Sequence, residues 1–238
     1  MDHISIVLVR PQQPGNIGLA ARALANHGIT KLALVQPQGF DADRARWMAP
    51  KAHDIINNAR FCTSIQEAVE GAVRVVATSA RPRRWDRPVW TPQEAAENAF
   101  TGPTPTAFVF GPEDAGLSTE DLMACHGIMS FPTVHVRSLN LGQAVTVTCA
   151  NLLAAQEAAA PAVPEEEVDT APAAFQEELV QDSIRALKSA GYLRGRSEVQ
   201  VHGTLYRLLG RAQPTMDEAA RLRGMVKQLL WWFKEPRS

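Results

Sequence analysis

The sequence predicts an α/β protein: a mostly parallel sheet with helices on both faces, plus a small helical extension at the carboxyl end. Three observations lead there. Short β-branched runs alternate with Ala- and Leu-rich helical patterns through the first 150 residues. A low-complexity stretch, AAAPAVPEEEVDTAPAA, follows at 158–174 and lacks the apolar surface needed to offset its ordering entropy. Beyond it, apolar residues recur only at helical spacing. The expected division is therefore an α/β domain over 1–157, an acidic Ala/Pro/Glu-rich linker over 158–174, and a basic helical extension over 175–238.

The elements follow in order. Ile4–Val9 reads as a buried strand. Ile17 to His27 reads as a helix, with Gly28 suited to the C′ position. Lys31–Val35 is the second strand, ended by Pro37. A helix is expected over about Pro50–Asn57. Ser64 with Glu67 forms a capping-box pattern that opens a helix over 65–70. Val73–Thr78 is the third strand. Thr91 with Glu94 repeats the box and opens Pro92–Asn98. Thr106–Phe110 is the fourth strand, and Ser118 with Asp121 caps a short helix reaching about Cys125. Gly127–Phe131 is the fifth strand, and Gly142–Glu157 a long helix. In the extension, three apolar stripes are expected as helices: Phe175 to Leu187, Val199–Leu209 with Arg207 and Arg211 outward, and Met216–Phe233. A unit this small has little core of its own and is expected to pack on the main domain or on another chain.

Of the 238 residues, 45% are hydrophobic and 21% charged, which excludes a wholly disordered chain. No apolar run reaches the roughly 18 residues of a membrane span. The start, MDHISIVLVRPQ, has no basic region before its apolar stretch, so no secretory signal is expected. Three scattered cysteines without CxxC spacing (Cys62, Cys125, Cys149) fit a reducing cytoplasm. The net charge of −1 hides a segmented chain: residues 1–156 are balanced, 157–182 carry −8, and 183–238 carry +7. The basic tail suits a polyanionic partner, or else a solvated cationic helix face.

Ligands of open α/β sheets bind beyond the carboxyl ends of the strands. Four such junctions combine turn-forming residues with polar groups: 10–18, 78–82, 111–118 and 138–142. There is no GxGxxG, no GxxxxGK[ST] and no GxSxG, so dinucleotide, P-loop and α/β-hydrolase sites are unsupported. The six histidines show no HExxH pattern or ligand pairing, and no metal site is expected.

Three of these stretches carry a resemblance. Asn16-Ile17-Gly18-Leu19-Ala20-Ala21-Arg22-Ala23-Leu24 resembles motif one of the SpoU-like (TrmH) class of SPOUT RNA methyltransferases. Residues 108–118, FVFGPEDAGLS, resemble motif two, and Ser138-Leu139-Asn140-Leu141-Gly142-Gln143-Ala144-Val145 resembles motif three. Their order, and separations of about 90 and about 20 residues, make the set specific. Ala77-Thr78-Ser79-Ala80-Arg81 and the tail with Leu222-Arg223-Gly224 add a narrower likeness, to the subgroup that methylates the ribose at position 32 of the tRNA anticodon loop.

The resemblance implies a trefoil knot in the carboxyl half of the catalytic domain, S-adenosylmethionine as methyl donor, and a homodimer with active sites at its interface. By the same likeness, Thr78, Ser79, Ala80, Gly111, Phe131, Ser138, Leu139 and Asn140 line the cofactor cradle. Arg22, Asn16, Glu113, Ser138 and Asn140 form the catalytic set. A guanidinium stays protonated above pH 12 and makes a poor base, so Arg22 is expected to hold the target phosphate or the forming alkoxide; the alternative is a surface salt bridge. Asn16 is expected at the N-cap of the first helix, either capping alone or also fixing Arg22 and motif three. Glu113 is a candidate to orient Arg22 or to accept the proton; alternatively it is a helix N-terminal charge. Pro112 departs from the Asn or Arg of many relatives. Arg81, Arg83 and Arg84, in the basic loop Arg81-Pro82-Arg83-Arg84-Trp85-Asp86-Arg87, are candidates for RNA phosphate contact beside a stacked base. Trp231-Trp232-Phe233 is expected as core or interface packing. The leading function is tRNA ribose 2′-O-methylation. The alternatives are an rRNA ribose methyltransferase, a non-catalytic RNA-binding protein on the same fold, and a small-molecule methyltransferase, which would need neither the basic tail nor the Arg-rich loop.

Overall fold

The computed structural model describes residues 1–80, 87–101, 104–136, 138–159 and 169–234. Its frame is a seven-stranded sheet in which every strand pairing is parallel. The strands are β1 (Ile4–Val9), β2 (Lys31–Val35), β3 (Arg60–Cys62), β4 (Arg74–Thr78), β5 (Val89–Trp90), β6 (Thr106–Phe110) and β7 (Gly127–Met129), in the spatial order β3-β2-β1-β6-β4-β7-β5. The connecting helices are α1 (Pro14–Asn26), α2 (Ala42–Trp47), α3 (His53–Asn57), α4 (Ile65–Ala68), α5 (Pro92–Ala99), α6 (Thr119–Met123) and α7 (Leu141–Ala158).

The continuous apolar runs of β1 and β6 follow from burial on both faces. Ile4, Ile6, Leu8, Phe108 and Phe110 point to one side, into a core with Ile17, Leu24, Ala96, Val145 and Leu152 of α1, α5 and α7. Val7, Val9, Val75, Ala77 and Val109 point to the other, against Ile65, Ala68 and Leu122 of α4 and α6. Register is set by Ile4–Leu8 lying opposite Thr106–Phe110.

Local chemistry explains most helix starts. Thr91/Glu94 and Ser118/Asp121 both form complete capping boxes. Ser64 caps α4, but Glu67 reaches one residue further, taking the N–H and hydroxyl of Thr63, each at 2.7 Å. The first helix begins at Pro14 rather than Ile17, because a proline at the first helical position loses no hydrogen bond. The expected Pro50–Asn57 helix resolves into α3 alone. Before it lies α2, absent from the expectations, whose N-cap Asp41 accepts from the N–H groups of Asp43 and Arg44. Strands β3 and β5, three and two residues long, are too short to show a periodicity. β7 ends at Met129, two residues early, although Ser130 N–H still reaches Trp90 O at 2.9 Å.

The tail forms α8 (Ala173–Ser189), α9 (Glu198–Ala212) and α10 (Met216–Lys234), and it packs on the α/β body. Ala173 N–H donates to Ala72 O at 2.6 Å, and the Ala173 side chain joins the core beneath α4 and α6. Tyr206 of α9 stacks on His126, ring centroids 4.5 Å apart and 12° from parallel. Arg223 of α10 donates to Asp182 of α8 at 2.7 Å and also to Glu178. Of core or interface packing, the core alternative falls for Trp231, Trp232 and Phe233: they remain 54%, 50% and 36% exposed, and α10 turns Ala219 and Arg223 inward instead. Arg87, which ends the basic loop, is buried and donates to the carbonyls of Leu122, Met123 and Cys125. Carbonyls at a helix end lack intrahelical partners, and a buried guanidinium satisfies these. Arg81, Arg83 and Arg84 lie outside the described residues.

Cys62, Cys125 and Cys149 are free and buried. Among the described residues, no helix is long and apolar enough to cross a membrane.

His126 sits where α6, β4 and α9 meet. Its Nδ1 accepts from Val75 N–H at 2.9 Å. Burial first, then the charges of Arg87 and Arg74, push its pKa down to about 3. The folded ring therefore stays neutral at pH values where an unfolded ring, with a pKa near ~6.5, takes a proton. Between about pH 6.5 and 3 the unfolded state holds the extra proton, so stability falls as the pH drops through that window. Urea unfolding at stepped pH should show a loss of up to ~1.4 kcal/mol per pH unit from this group. The His126→Asn variant, with no ring to titrate, should lack that component of the slope.

Candidate active site

The carboxyl ends of β4, β6 and β7 surround a cavity of about 470 Å³, beside the point where strand order reverses. Three turns form it. After β4, Thr78 donates its hydroxyl to Val109 O at 3.2 Å and Ser79 N–H reaches Met129 O at 3.1 Å, so this turn is tied to both neighbouring strands. After β6, residues 111–118 fold back on themselves, with Gly116 N–H on Pro112 O at 2.9 Å. Gly111 is required there, since a Cβ would stand 2.3 Å from Leu117 N and 2.4 Å from Gly116 C. After β7 come Phe131 and, further on, Ser138 and Leu139; Phe131 and Leu139 are half-buried against the main core.

Thr78, Ser79, Ala80, Gly111, Phe131, Ser138 and Leu139 all line the cavity, seven of the eight positions expected for a cofactor cradle. Asn140 does not line it; one residue beyond Leu139, its side chain does other work. Asn140 Oδ1 accepts from Gly142 N–H at 2.9 Å and Gln143 N–H at 3.4 Å, capping α7. Its Nδ2 donates to Asn16 Oδ1 at 3.0 Å, and Asn16 Nδ2 donates to Glu113 Oε1 at 2.8 Å. The polarity of this chain has one solution. An ionised carboxylate only accepts, so Asn16 must turn its amide nitrogen to Glu113 and offer its oxygen to Asn140.

Asn16 is not the N-cap of α1. It lies inside the first turn, buried to 5% exposure, and Gln13 holds the cap position without a side-chain hydrogen bond. Glu113 makes up that deficit from across the sheet, accepting the N–H groups of Gln12 at 3.0 Å and Gln13 at 3.2 Å. A negative charge at a helix start also suits the helix dipole, here that of α1 rather than of α6. Arg22, on α1, is exposed and has no hydrogen-bond or ion-pair partner among the described residues. The three motifs are thus joined through Asn140, Asn16 and Glu113, while the guanidinium of Arg22 stays available to something outside the chain.

Sequence reasoning passed over Arg10, Gln12 and Gln13. The second and third act through backbone N–H groups, which carry no side-chain signal. Arg10 pairs with Asp121, whose place in a capping box was the available clue. Among the described residues, no group of three or more His, Cys, Asp or Glu side chains could hold a metal ion.

These features define a parallel α/β protein with a small-molecule cavity built from strand-end turns at its topological switch. The SpoU rRNA Methylase family model matches residues 3–150, and the chain belongs to that family. It is 36% identical to the tRNA (cytidine/uridine-2′-O-)-methyltransferase TrmJ of Klebsiella pneumoniae, over 96% of this chain and 97% of the relative. It is 35% identical to the TrmJ of Yersinia enterocolitica, over 100% and 95%. The fold resembles the crystal structure of TrmJ from Z. mobilis ZM4, with a TM-score of 0.81 and 32% identity, covering 94% of this chain and 98% of that one. A methylase family protein from Haemophilus influenzae Rd KW20 matches with a TM-score of 0.65 and 31% identity, covering 96% of each chain.

Glu113→Gln offers one acceptor oxygen to three donors and sets an amide nitrogen against an N–H. Because two of those bonds are exposed, the expected loss of stability is about 1 kcal/mol, read by urea unfolding.

Proposed function

We propose that this chain transfers a methyl group from S-adenosylmethionine to a ribose 2′-hydroxyl of tRNA, at position 32 of the anticodon loop. The observation that carries the reading is the convergence of residues 78–80, 111–118 and 138–139 on one cavity, in a chain that aligns end to end with tRNA 2′-O-methyltransferases. The rRNA alternative draws on the family's name alone, and the full-length relatives do not favour it. A non-catalytic binder would have no need of the intact set Asn16, Arg22, Glu113, Ser138 and Asn140.

The cavity suits the proposed cofactor. Its volume lies in the range of small-molecule sites, its turns present backbone N–H and C=O groups that can read a base edge, and Phe131, Leu139 and Leu141 supply apolar wall. When bound, S-adenosylmethionine supplies an already activated methyl group on a sulfonium. The protein's task is then positioning. The ribose oxygen must lie in line at about 3–3.5 Å, and the apolar wall keeps competing water away. The ribose oxygen would gain the methyl carbon as the methyl–sulfur bond breaks to leave S-adenosylhomocysteine, its proton passing to Glu113 on the cavity wall, while Arg22 holds the target phosphate or that oxygen by charge-assisted hydrogen bonds. Asn16, Glu113 and Asn140 hold the helix that carries Arg22 and the start of α7 in fixed relation. Ser138, which lines the cavity, would touch both the cofactor and the ribose.

An exposed arginine with no partner among the described residues fits an active site completed at a homodimer interface. Arg81, Arg83, Arg84 and the +7 tail supply charge for RNA phosphates, with affinity falling steeply as salt rises. Residues 1–157 would be the catalytic domain and 175–238 an RNA-binding extension; of the expected 158–174 linker, Ala173 and Ala174 already belong to α8. A trefoil knot is supported by the placement of β6 between β1 and β4, with residues from motif three lining the same cavity as motif two. Three free, buried thiols suit the cytoplasm.

Mapping 2′-O-methyl ribose in tRNA and rRNA from cells lacking this protein tests the function. Loss at one anticodon-loop ribose is expected; loss confined to rRNA would hand the reading to the alternative. Arg22→Ala should keep its affinity for S-adenosylmethionine in calorimetry while methyl transfer falls by about 100-fold or more. Undiminished transfer would remove Arg22 from the mechanism.

A further inference from the structure

Arg10 ends β1 in the left-handed region, at φ 48°, with its N–H on Val35 O at 2.7 Å. A non-glycine residue rarely adopts that conformation without a compensating contact. The contact is a two-pronged ion pair: Nη1 lies 3.3 Å from Asp121 Oδ1, and Nη2 bonds Oδ2. Asp121 is not an ordinary surface carboxylate. Its side chain is 10% exposed, and Oδ2 also accepts Ser118 N–H at 2.8 Å, the last residue of the turn after β6.

We propose that Arg10 is a positioning residue for the cofactor cavity: through Asp121 it pins the far end of residues 111–118 to the β1–α1 turn. The near end is pinned to the same turn, since Glu113 binds Gln12, Gln13 and Asn16. Between the two anchors, among the described residues, the one backbone hydrogen bond within the turn is Gly116 N–H on Pro112 O, and Asp114 bonds the Gln12 side chain of the same β1–α1 turn, so the wall formed by residues 111–118 takes its shape from these ties. Burial would raise the Asp121 carboxyl, but the hydrogen bonds from Arg10 and Ser118 outweigh it and hold the group below the usual carboxylate range. The pair is therefore ionised at neutral pH. The inference rests on the reading of this cavity as the S-adenosylmethionine site.

The test is calorimetric titration of the full-length protein with S-adenosylhomocysteine, for the wild type, Arg10→Met, Arg10→Lys, Asp121→Asn and the Arg10→Met/Asp121→Asn double variant. The cofactor KM and kcat are measured alongside. Arg10→Met should bind about tenfold more weakly, with the loss falling on the cofactor KM more than on kcat. Arg10→Lys, which keeps the charge but loses the fork, should fall between. The double variant should lose no more than the worse single one, the signature of two residues acting as a unit. Wild-type affinity in a folded Arg10→Met or Arg10→Lys protein, with only the melting temperature lowered, would reduce the pair to a support of α6 and overturn the proposal. So would losses that add. A wild type that binds no S-adenosylhomocysteine would overturn the cofactor reading itself, and the role of Arg10 with it.

Discussion

One carboxylate organises this site. Glu113 leaves the end of β6 and accepts hydrogen bonds from the start of α1, 97 to 101 residues earlier in the chain. A helix start with no side-chain cap of its own exposes N–H groups that must find a partner. Here the partner comes from the end of the neighbouring strand, and the consequence reaches further than capping. Once Asn16 must face a carboxylate with its nitrogen, its oxygen is committed to Asn140, and Asn140 in turn caps α7. Three segments distant in sequence are held by a chain of amides whose orientation follows from one negative charge.

Much of the fold was legible in the residues. Three strands, 4–9, 31–35 and 106–110, are bounded as their apolar runs suggest, because fully buried parallel strands are written as uninterrupted apolar stretches. The boxes at Thr91 and Ser118 mark helix starts because the reciprocal hydrogen bonds need only local residues. What escaped is what depends on distant partners or very few residues. α2 is six residues long and edge strands β3 and β5 are shorter still. Arg87 stands among arginines in sequence yet spends its donors on buried carbonyls, which no charge count reveals. The apolar end of α10 reads as core material but stays exposed.

The site shows the same division. The cavity's lining positions follow from motif likeness and strand-end logic, seven of eight falling on one concave surface. The second layer was hidden: Gln12 and Gln13 work through backbone groups, and Asp121, legible only as part of the α6 capping box, pairs with Arg10 across 111 residues. Only the shape of the sheet, with β6 inserted next to β1, brings those groups within reach.

The docking of the tail bears on how truncated forms should be interpreted. A chain ended before Ala173 would forfeit more than cationic charge: it would bare the His126 ring that Tyr206 now covers and the seam beneath α4 that Ala173 fills. Such a shortened chain carries a raw, greasy back directly behind the helix that follows residues 111–118. Its behaviour would mix a folding defect with the loss of charge, whereas neutralising Arg211, exposed on α9, changes the charge alone.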